Sequence, residues 1–208
     1  MSMSEIIPGL SVVPLIGIVR GHPLSGIEAI ADGAAAGGLM VLEITLDSPQ
    51  ALEQIAAMRA AHPELTVGAG SVLEPSQVGE AADAGATFFV TPTCNPAVIA
   101  AALHRGLPIV SGAATPTEIR TALAAGATAV KVFPAHLLGG VAFLDAVMSP
   151  LGNPPLVPTG GVDLRSAREY LAHGALAVGV GSALFPSSRS DDPAAIVNTV
   201  RSWVEAVK

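Results

Sequence analysis

Two kinds of segment alternate along the chain. Short runs that are apolar at almost every position give way to longer runs in which apolar residues recur every three or four positions among Ala, Glu and Arg, one such pair about every 20–25 residues. The first kind reads as a strand buried on both faces, and eight are present: 12–20, 40–46, 66–72, 87–92, 107–113, 128–134, 155–161 and 176–184. The second kind, as in "SPQALEQIAAMRAAH" or "TPTEIRTALAAGA", reads as helix. Ser48, Asn95 and Thr115 stand at N-cap positions, each with Pro next. The tetrads "AAGG", "DAGA", "AAGA" and "AHGA" close helices before the following strand and form a weak internal repeat. The first ten residues are expected to form a short helix that caps the bottom of the fold.

Eight strand–helix pairs with apolar strands predict a parallel sheet covered by helices, and the count favours closure: an α/β protein with a (β/α)8 barrel (TIM barrel), one domain over residues 1–208. An open doubly wound sheet would place G-x-G-x-x-G after the first strand, and "GIVRGHPLSG" does not match it. No linker or composition shift marks a second domain. Half of the residues are hydrophobic and 13% are charged, enough for a large core and too apolar for a disordered chain. Gly, Pro or a charge interrupts every apolar stretch before it could span a membrane. A net charge of −7 argues against nucleic acid or an acidic membrane as partner, which leaves a small molecule. A single Cys excludes an internal disulfide framework, and "MSMSEIIPGL" has neither a basic nor a continuous apolar leader region, so a cytoplasmic protein is expected.

Barrels of this kind carry their chemistry at the C-terminal ends of strands. There the chain places Arg20, Glu43 with Thr45 and Asp47, Ser71, Lys131, Thr159 with Gly160 and Gly161, and Gly181 with Ser182. Lys131 is one of only two Lys against eight Arg, and it sits within "TAVKVFPA". An ammonium in an apolar strand is costly unless it is paired or neutral, so a purely structural use of it is expensive. Glu43 occupies a similar strand. Alternation sets Thr45 on the face of Glu43 and turns Val132 away from Lys131, and a barrel interior would bring the Glu and the Lys together. A buried ion pair that only fills the barrel is the structural alternative. The functional reading is an amine neutral enough to attack a carbonyl and form a Schiff base, beside a carboxyl that serves as acid and base.

The second signal is glycine. "TGG" after the seventh strand and "GVGSA" in the eighth let backbone N–H groups approach an anion, at the place where such barrels bind phosphate. Cys94 lacks a nearby His and reads as an inert thiol. His62, His104 and His173 stand at helix ends, where they meet the dipole. His136 follows the Lys131 strand and is a weaker site candidate. No His pair has i, i+4 spacing and the carboxylates form no cluster, so no metal and no cofactor are expected.

In this order, "VLEITLDSP", "VGAGSVL", "FFVTP", "VKVFPA", "VPTGGV" and "VGVGSAL" resemble the 2-keto-3-deoxy-6-phosphogluconate (KDPG) aldolases, with the phosphogalactonate and 4-hydroxy-2-oxoglutarate aldolases close by. The resemblance spans about residues 12–185. It implies a homotrimer of barrels performing class I aldol cleavage without metal, giving pyruvate and an aldehyde such as glyceraldehyde 3-phosphate. It implies that Lys131 forms the Schiff base and Glu43 is the general acid/base. Ser71 replaces a Thr that donates to the pyruvate carboxylate, Pro92 and Phe133 wall the pocket, and Thr159, Gly160, Gly161, Gly181 and Ser182 hold the phosphate. Thr159 also favours the gluconate over the galactonate type. One position departs: many relatives carry a carboxylate-binding Arg where this chain has Asp47. Either Asp47 turns outward or the substrate differs, and Arg20, which matches an Arg of the galactonate type, is the candidate replacement cation. Two other readings stay open, a phosphate-binding barrel isomerase or synthase that forms no imine, and a barrel that binds a ligand without turning it over.

Overall fold

Each apolar run contains a strand in the computed structural model, which describes residues 7–186 and 192–208. The elements run β1 (Leu15–Val19), α1 (Ile27–Gly37), β2 (Val41–Thr45), α2 (Ala51–Ala61), β3 (Thr66–Gly70), α3 (Pro75–Asp83), β4 (Phe89–Val90) and α4 (Pro96–His104). They continue with β5 (Ile109–Ala113), α5 (Pro116–Ala124), β6 (Ala129–Val132), α6 (Val141–Met148), β7 (Leu156–Pro158), α7 (Leu164–Ala172), β8 (Val178–Val180) and α8 (Pro193–Val207). All neighbouring strands pair in parallel, in the order β7-β6-β5-β4-β3-β2-β1-β8. A bridge between Thr159 and Gly179 and a 2.8 Å bond from the Leu176 N–H to the Leu156 carbonyl join β7 to β8, so the eight strands close into a (β/α)8 barrel.

Strand alternation sorts the core into two layers. Ile16, Val41, Phe88, Val90, Val110 and Val157 point inward and fill the lower barrel. Their sequence neighbours, Leu42, Ile44, Val67, Phe89, Ile109 and Val130 among them, point outward and pack under the helices. A Cβ at Gly68 would overlap the Phe88 ring, so that glycine makes room for the largest inward side chain.

The N-terminal segment differs from the expected helix. Residues 7–12 form a run of turns and bends, and residues 1–6 lie outside those described. Gly9 sets the shape: its φ of 99° is closed to most residues, and a Cβ there would come within 2.8 Å of Met40 Cβ. The turn drops Ile7 and Leu10, 2% and 4% exposed, into the floor of the barrel.

Two of the three expected helix caps form. Asn95 Oδ1 accepts the Ala97 N–H at 3.0 Å, and Thr115 Oγ1 accepts the Glu118 N–H at 3.2 Å. Ser48 is not a cap. Helix α2 starts later, behind Gln50 in the left-handed region (φ 54°), and Ser48 Oγ instead accepts the Gly21 N–H at 2.8 Å. On the closing side of the barrel, α1 and α8 lie in close contact. A Cβ at Gly33 would overlap Ile196 and one at Gly37 would overlap Val200, so two glycines on α1 form the groove that receives α8. Among the described residues no helix is long and apolar enough to cross a membrane.

Candidate active site

Glu43 is the third residue of β2 and Lys131 the third of β6, and alternation turns both side chains into the barrel above the apolar floor. They are 1% and 4% exposed, with Lys131 Nζ 3.8 Å from Glu43 Oε1. At that separation the charges attract without a hydrogen bond, and among the described residues Glu43 Oε1 has no hydrogen-bond partner. Burial pushes the Glu43 carboxyl above its ordinary value. The charges of Lys131 and Arg20 pull it back, Asp47 adds a smaller push upward, and the balance stays raised. A carboxyl raised in this way holds its proton more readily than an exposed one, which suits a group that must both give and take a proton.

The room for Glu43 is a missing side chain. Gly70, paired with Thr45 across β2 and β3, faces the carboxylate, and a Cβ there would overlap it. Gly112, next to Lys131 on β5, likewise leaves space for the Pro92 carbonyl. Lys131 Nζ lies 5.3 Å from the centre of the Phe133 ring, within range of a cation–π contact.

Lys131 opens onto a cavity of about 470 Å³. Arg20 and Phe133 line it, and its glycine-rich side is formed by Thr159, Gly160, Gly161, Gly181 and Ser182. Gly160 and Gly161 have φ of 91° and 71°, and Cβ atoms on them would crowd Phe133 at 3.2 Å and His136 at 2.7 Å. Among the described residues the N–H groups of Gly161, Ser182 and Ala183 have no acceptor, so the two turns present donors to the cavity side. Thr159 is 5% exposed, and its hydroxyl donates to the Val157 carbonyl at 3.2 Å. Gly179 gives it space, because a Cβ there would overlap that hydroxyl.

Arg20 reaches across the mouth from the end of β1. Its Nη1 donates to Asp47 Oδ2 and its Nη2 to Ser71 Oγ, each at 2.9 Å. Asp47 is half exposed and outside the cavity lining, and its carboxylate pairs with Arg20. Below this pair, Gln54 Nε2 donates to the His22 and Pro49 carbonyls at 2.8 and 2.7 Å, and His22 Nε2 lies 3.2 Å from the Phe185 carbonyl. The loops after β1, β2 and β8 thus share one hydrogen-bonded network.

Three expected binding residues, Thr45, Ser71 and Pro92, lie outside the cavity lining, as does Glu43; Ser71 is instead held by Arg20. Thr45 is fully buried with its hydroxyl 3.0 Å from Ser48 Oγ, because the end of β2 bends into that network. Pro92 packs by its carbonyl against Gly112. Pattern reasoning missed Ile18, Val162 and Phe185, which line the cavity, and Gly70 and Gly179, whose absent side chains shape it. The signal was present in "TVGAG", where two glycines fall on the inward face.

The remaining candidates stand apart. Burial pushes the Cys94 thiol up, away from the thiolate a nucleophile needs. His62 and His173 cap helices, His62 between Asp32 and Glu64 at 2.7 and 2.8 Å and His173 at 2.6 Å from Asp145; His104 ends α4. His136 is exposed and touches the site by its backbone, its N–H donating to the Gly160 carbonyl. Among the described residues no three His, Cys, Asp or Glu gather as metal ligands.

An amine and a carboxyl buried at the mouth of such a barrel define a class: an enzyme that works on a carbonyl compound through a lysine. The comparisons with known proteins carry this further. The model of the KDPG and KHG aldolase family matches residues 4–199. The chain is 37% identical over 187 residues to the 2-dehydro-3-deoxy-phosphogluconate aldolase of Treponema pallidum, covering 90% of this chain and 88% of that protein. It superposes on the 2-keto-3-deoxy-6-phosphogluconate aldolase of Zymomonas mobilis ZM4, solved with 3-phosphoglycerate, with a TM-score of 0.90, 32% identity and coverage of 100% and 98% of the two chains. The KDPG aldolase of Legionella pneumophila, solved with pyruvate captured as a covalent carbinolamine, gives a TM-score of 0.86 at 27% identity, over 96% of each chain. The chain belongs to the KDPG and KHG aldolase family.

Proposed function

We propose that this protein is a class I aldolase that cleaves a 2-keto-3-deoxy-6-phospho sugar acid, KDPG foremost, into pyruvate and glyceraldehyde 3-phosphate. The observation that carries the reading is the Lys131–Glu43 pair, 3.8 Å apart, buried beside a cavity with a glycine-rich wall. Lys131 adds to the C2 ketone, and Glu43 supplies and removes protons as the carbinolamine loses water. The protonated imine then draws the C3–C4 electron pair as that bond breaks. Glu43, directly or through a water, takes the C4 hydroxyl proton, and the aldehyde leaves. Glu43 returns a proton to C3 of the enamine, and hydrolysis of the imine releases pyruvate and restores the amine. The turns at Gly160–Gly161 and Gly181–Ser182, through the N–H groups of Gly161 and Ser182, are suited to the phosphate, and Arg20 with Ser71 to the carboxylate.

Intact-mass measurement after incubation with pyruvate and borohydride tests this. A pyruvate adduct is expected on the protein and none on Lys131→Ala; a folded protein that traps nothing would return the weight to a non-imine isomerase or a binding barrel. One feature favours a second substrate: Arg20 in place of the gluconate-type Arg points toward the phosphogalactonate acid, whereas Thr159 points toward the gluconate. Turnover of the two C4 epimers and of 4-hydroxy-2-oxoglutarate, side by side, separates them. Homotrimer assembly and a cytoplasmic location belong to this reading through the family resemblance, and light scattering tests the first.

A further inference from the structure

Asp47 has no part in the chemistry above, and a carboxylate beside an anionic substrate repels it. Its placement is nevertheless specific. Asp47 Oδ2 accepts from Arg20 Nη1 at 2.9 Å, while Arg20 Nη2 donates to Ser71 Oγ at 2.9 Å. One guanidinium is thus held at two points, by the loop after β2 and by the residue that follows β3. Ser71 adopts φ 55°, a conformation few non-glycine residues take, and in it the hydroxyl meets Arg20. Arg20 is more than half exposed (55%), so without these two bonds its long side chain would be free to lie in solvent. A guanidinium has five N–H donors, and the two bonds leave three for an acceptor in the cavity that Arg20 lines. Both Arg20 and Asp47 act electrostatically on the Glu43 carboxyl, which sets the pair close to the reacting atoms.

We propose that Asp47 is a positioning residue for carboxylate recognition: it draws Arg20 across the mouth onto Ser71, so that the free edge of the guanidinium meets the carboxylate of the 2-oxo acid. The inference rests on the aldolase reading and deepens it. It makes the departure at position 47 one half of an exchange in which the cation comes from β1 and the loop after β2 supplies its anchor. The anchor acts through hydrogen-bond geometry, and an Asn side chain keeps an acceptor oxygen for Arg20 while losing the charge.

The deciding readout follows pyruvate alone, so it does not depend on which aldehyde the enzyme uses; an aldehyde enters only as a control. The pyruvate concentration giving half-maximal borohydride-trapped adduct is measured for the wild type, Asp47→Ala, Asp47→Asn, Arg20→Ala and the Arg20→Ala/Asp47→Ala double variant. Asp47→Ala is expected to raise it by about three- to fivefold, the most a half-exposed ion pair supports. Asp47→Asn should recover most of that loss, and in the Arg20→Ala background Asp47→Ala should add nothing. KM for glyceraldehyde 3-phosphate in the condensation direction should stay within twofold, because its phosphate meets the turn N–H groups after β7 and β8 rather than the guanidinium; a general collapse of the mouth would raise both. An unchanged or lowered pyruvate requirement in Asp47→Ala, equal damage from Ala and Asn, or additive effects with Arg20→Ala would each overturn the proposal. Trapping at Lys131 in every variant would leave the aldolase reading intact through such a failure. Loss of trapping in the wild type itself would remove both.

Discussion

Gly70→Ala adds a single methyl group where Glu43 stands. Gly70 lies within β3 and outside the left-handed region, so the substitution brings no backbone strain and its effect is one of space. The new Cβ would stand 2.5 Å from Glu43 Cδ. Carbon atoms rest at about 3.5–4.0 Å, so the carboxyl group has to retreat by about 1–1.5 Å. Displacing a reacting group by about 1 Å costs on the order of 10²-fold in rate. Complete loss of acid–base help, as in Glu43→Gln, costs about 10²–10⁴-fold, so Gly70→Ala belongs at the gentle end of that range. The assay is kcat for cleavage, read as pyruvate release through a coupled reductase, with thermal unfolding as a control for the about 1–3 kcal/mol that overpacking removes. The combined Gly70→Ala/Glu43→Gln variant should be no slower than Glu43→Gln, because both changes act on one group. A folded Gly70→Ala enzyme with wild-type kcat would refute the idea that Gly70 is the space in which the acid–base group works.

Three more outcomes are expected. Burial holds the Glu43 carboxyl above 4.5, so the ascending limb of kcat/KM, where Glu43 must be ionised to accept the C4 proton, should lie above that pH. Arg20→Ala should move the limb higher still and Asp47→Asn lower, and a limb that neither variant shifts would disprove the assignment. Gly161→Ala places a Cβ 2.7 Å from His136 Cβ at a φ of 71°. Its KM for the phosphorylated aldehyde should rise by on the order of tenfold, the worth of a hydrogen bond to a charged group, while half-saturation by pyruvate stays put; equal rises in both would argue against a phosphate role. On the outer surface, hydrogen bonds that the His62 ring donates to Glu64 and then to Asp32 raise the His62 pKa from its ordinary 6.5. That stabilisation is complete below 6.5 and disappears as pH rises through the raised folded value. His62→Gln should therefore lower Tm at pH 6 and hardly at all at pH 9; a pH-independent difference would place its effect elsewhere.

The strands were legible because a strand buried on both faces has to be apolar along its length, and nothing else in a chain of this size repeats eight times in that form. Their ends were not legible. The run at 87–92 shrinks to Phe89–Val90 because Pro92 already belongs to the loop, and an apolar residue buried beneath a loop reads the same as one in a strand. Lys131 and Glu43 announced themselves through the cost of burying a charge. The service of Gly70 was hidden, since a strand glycine signals a close approach without naming what approaches. Ser48 was misjudged because local pattern made it a cap, whereas the neighbouring β1 loop gives it a partner, Gly21, 27 positions away in the chain; the Arg20 partner of Asp47 is equally distant and equally invisible to local pattern.

The glycine groove on α1 bears on the order in which the molecule can be completed. Gly33 and Gly37 each give up about 1 kcal/mol of helix propensity relative to Ala, and what they gain is an approach by Ile196 and Val200 that no methyl group would permit. Since β8 pairs with β1 and α8 packs on α1, the earliest strand and helix wait for the latest ones. A chain emerging from the ribosome can assemble β1 to β7 while the open edge of β1 and the notched face of α1 stay unmatched. Closure then depends on contacts between the two most distant parts of the sequence, the slowest kind to form. Shaving α8, or filling the groove with Ala at either glycine, should leave a barrel that begins to fold at its usual pace and fails at the last joint.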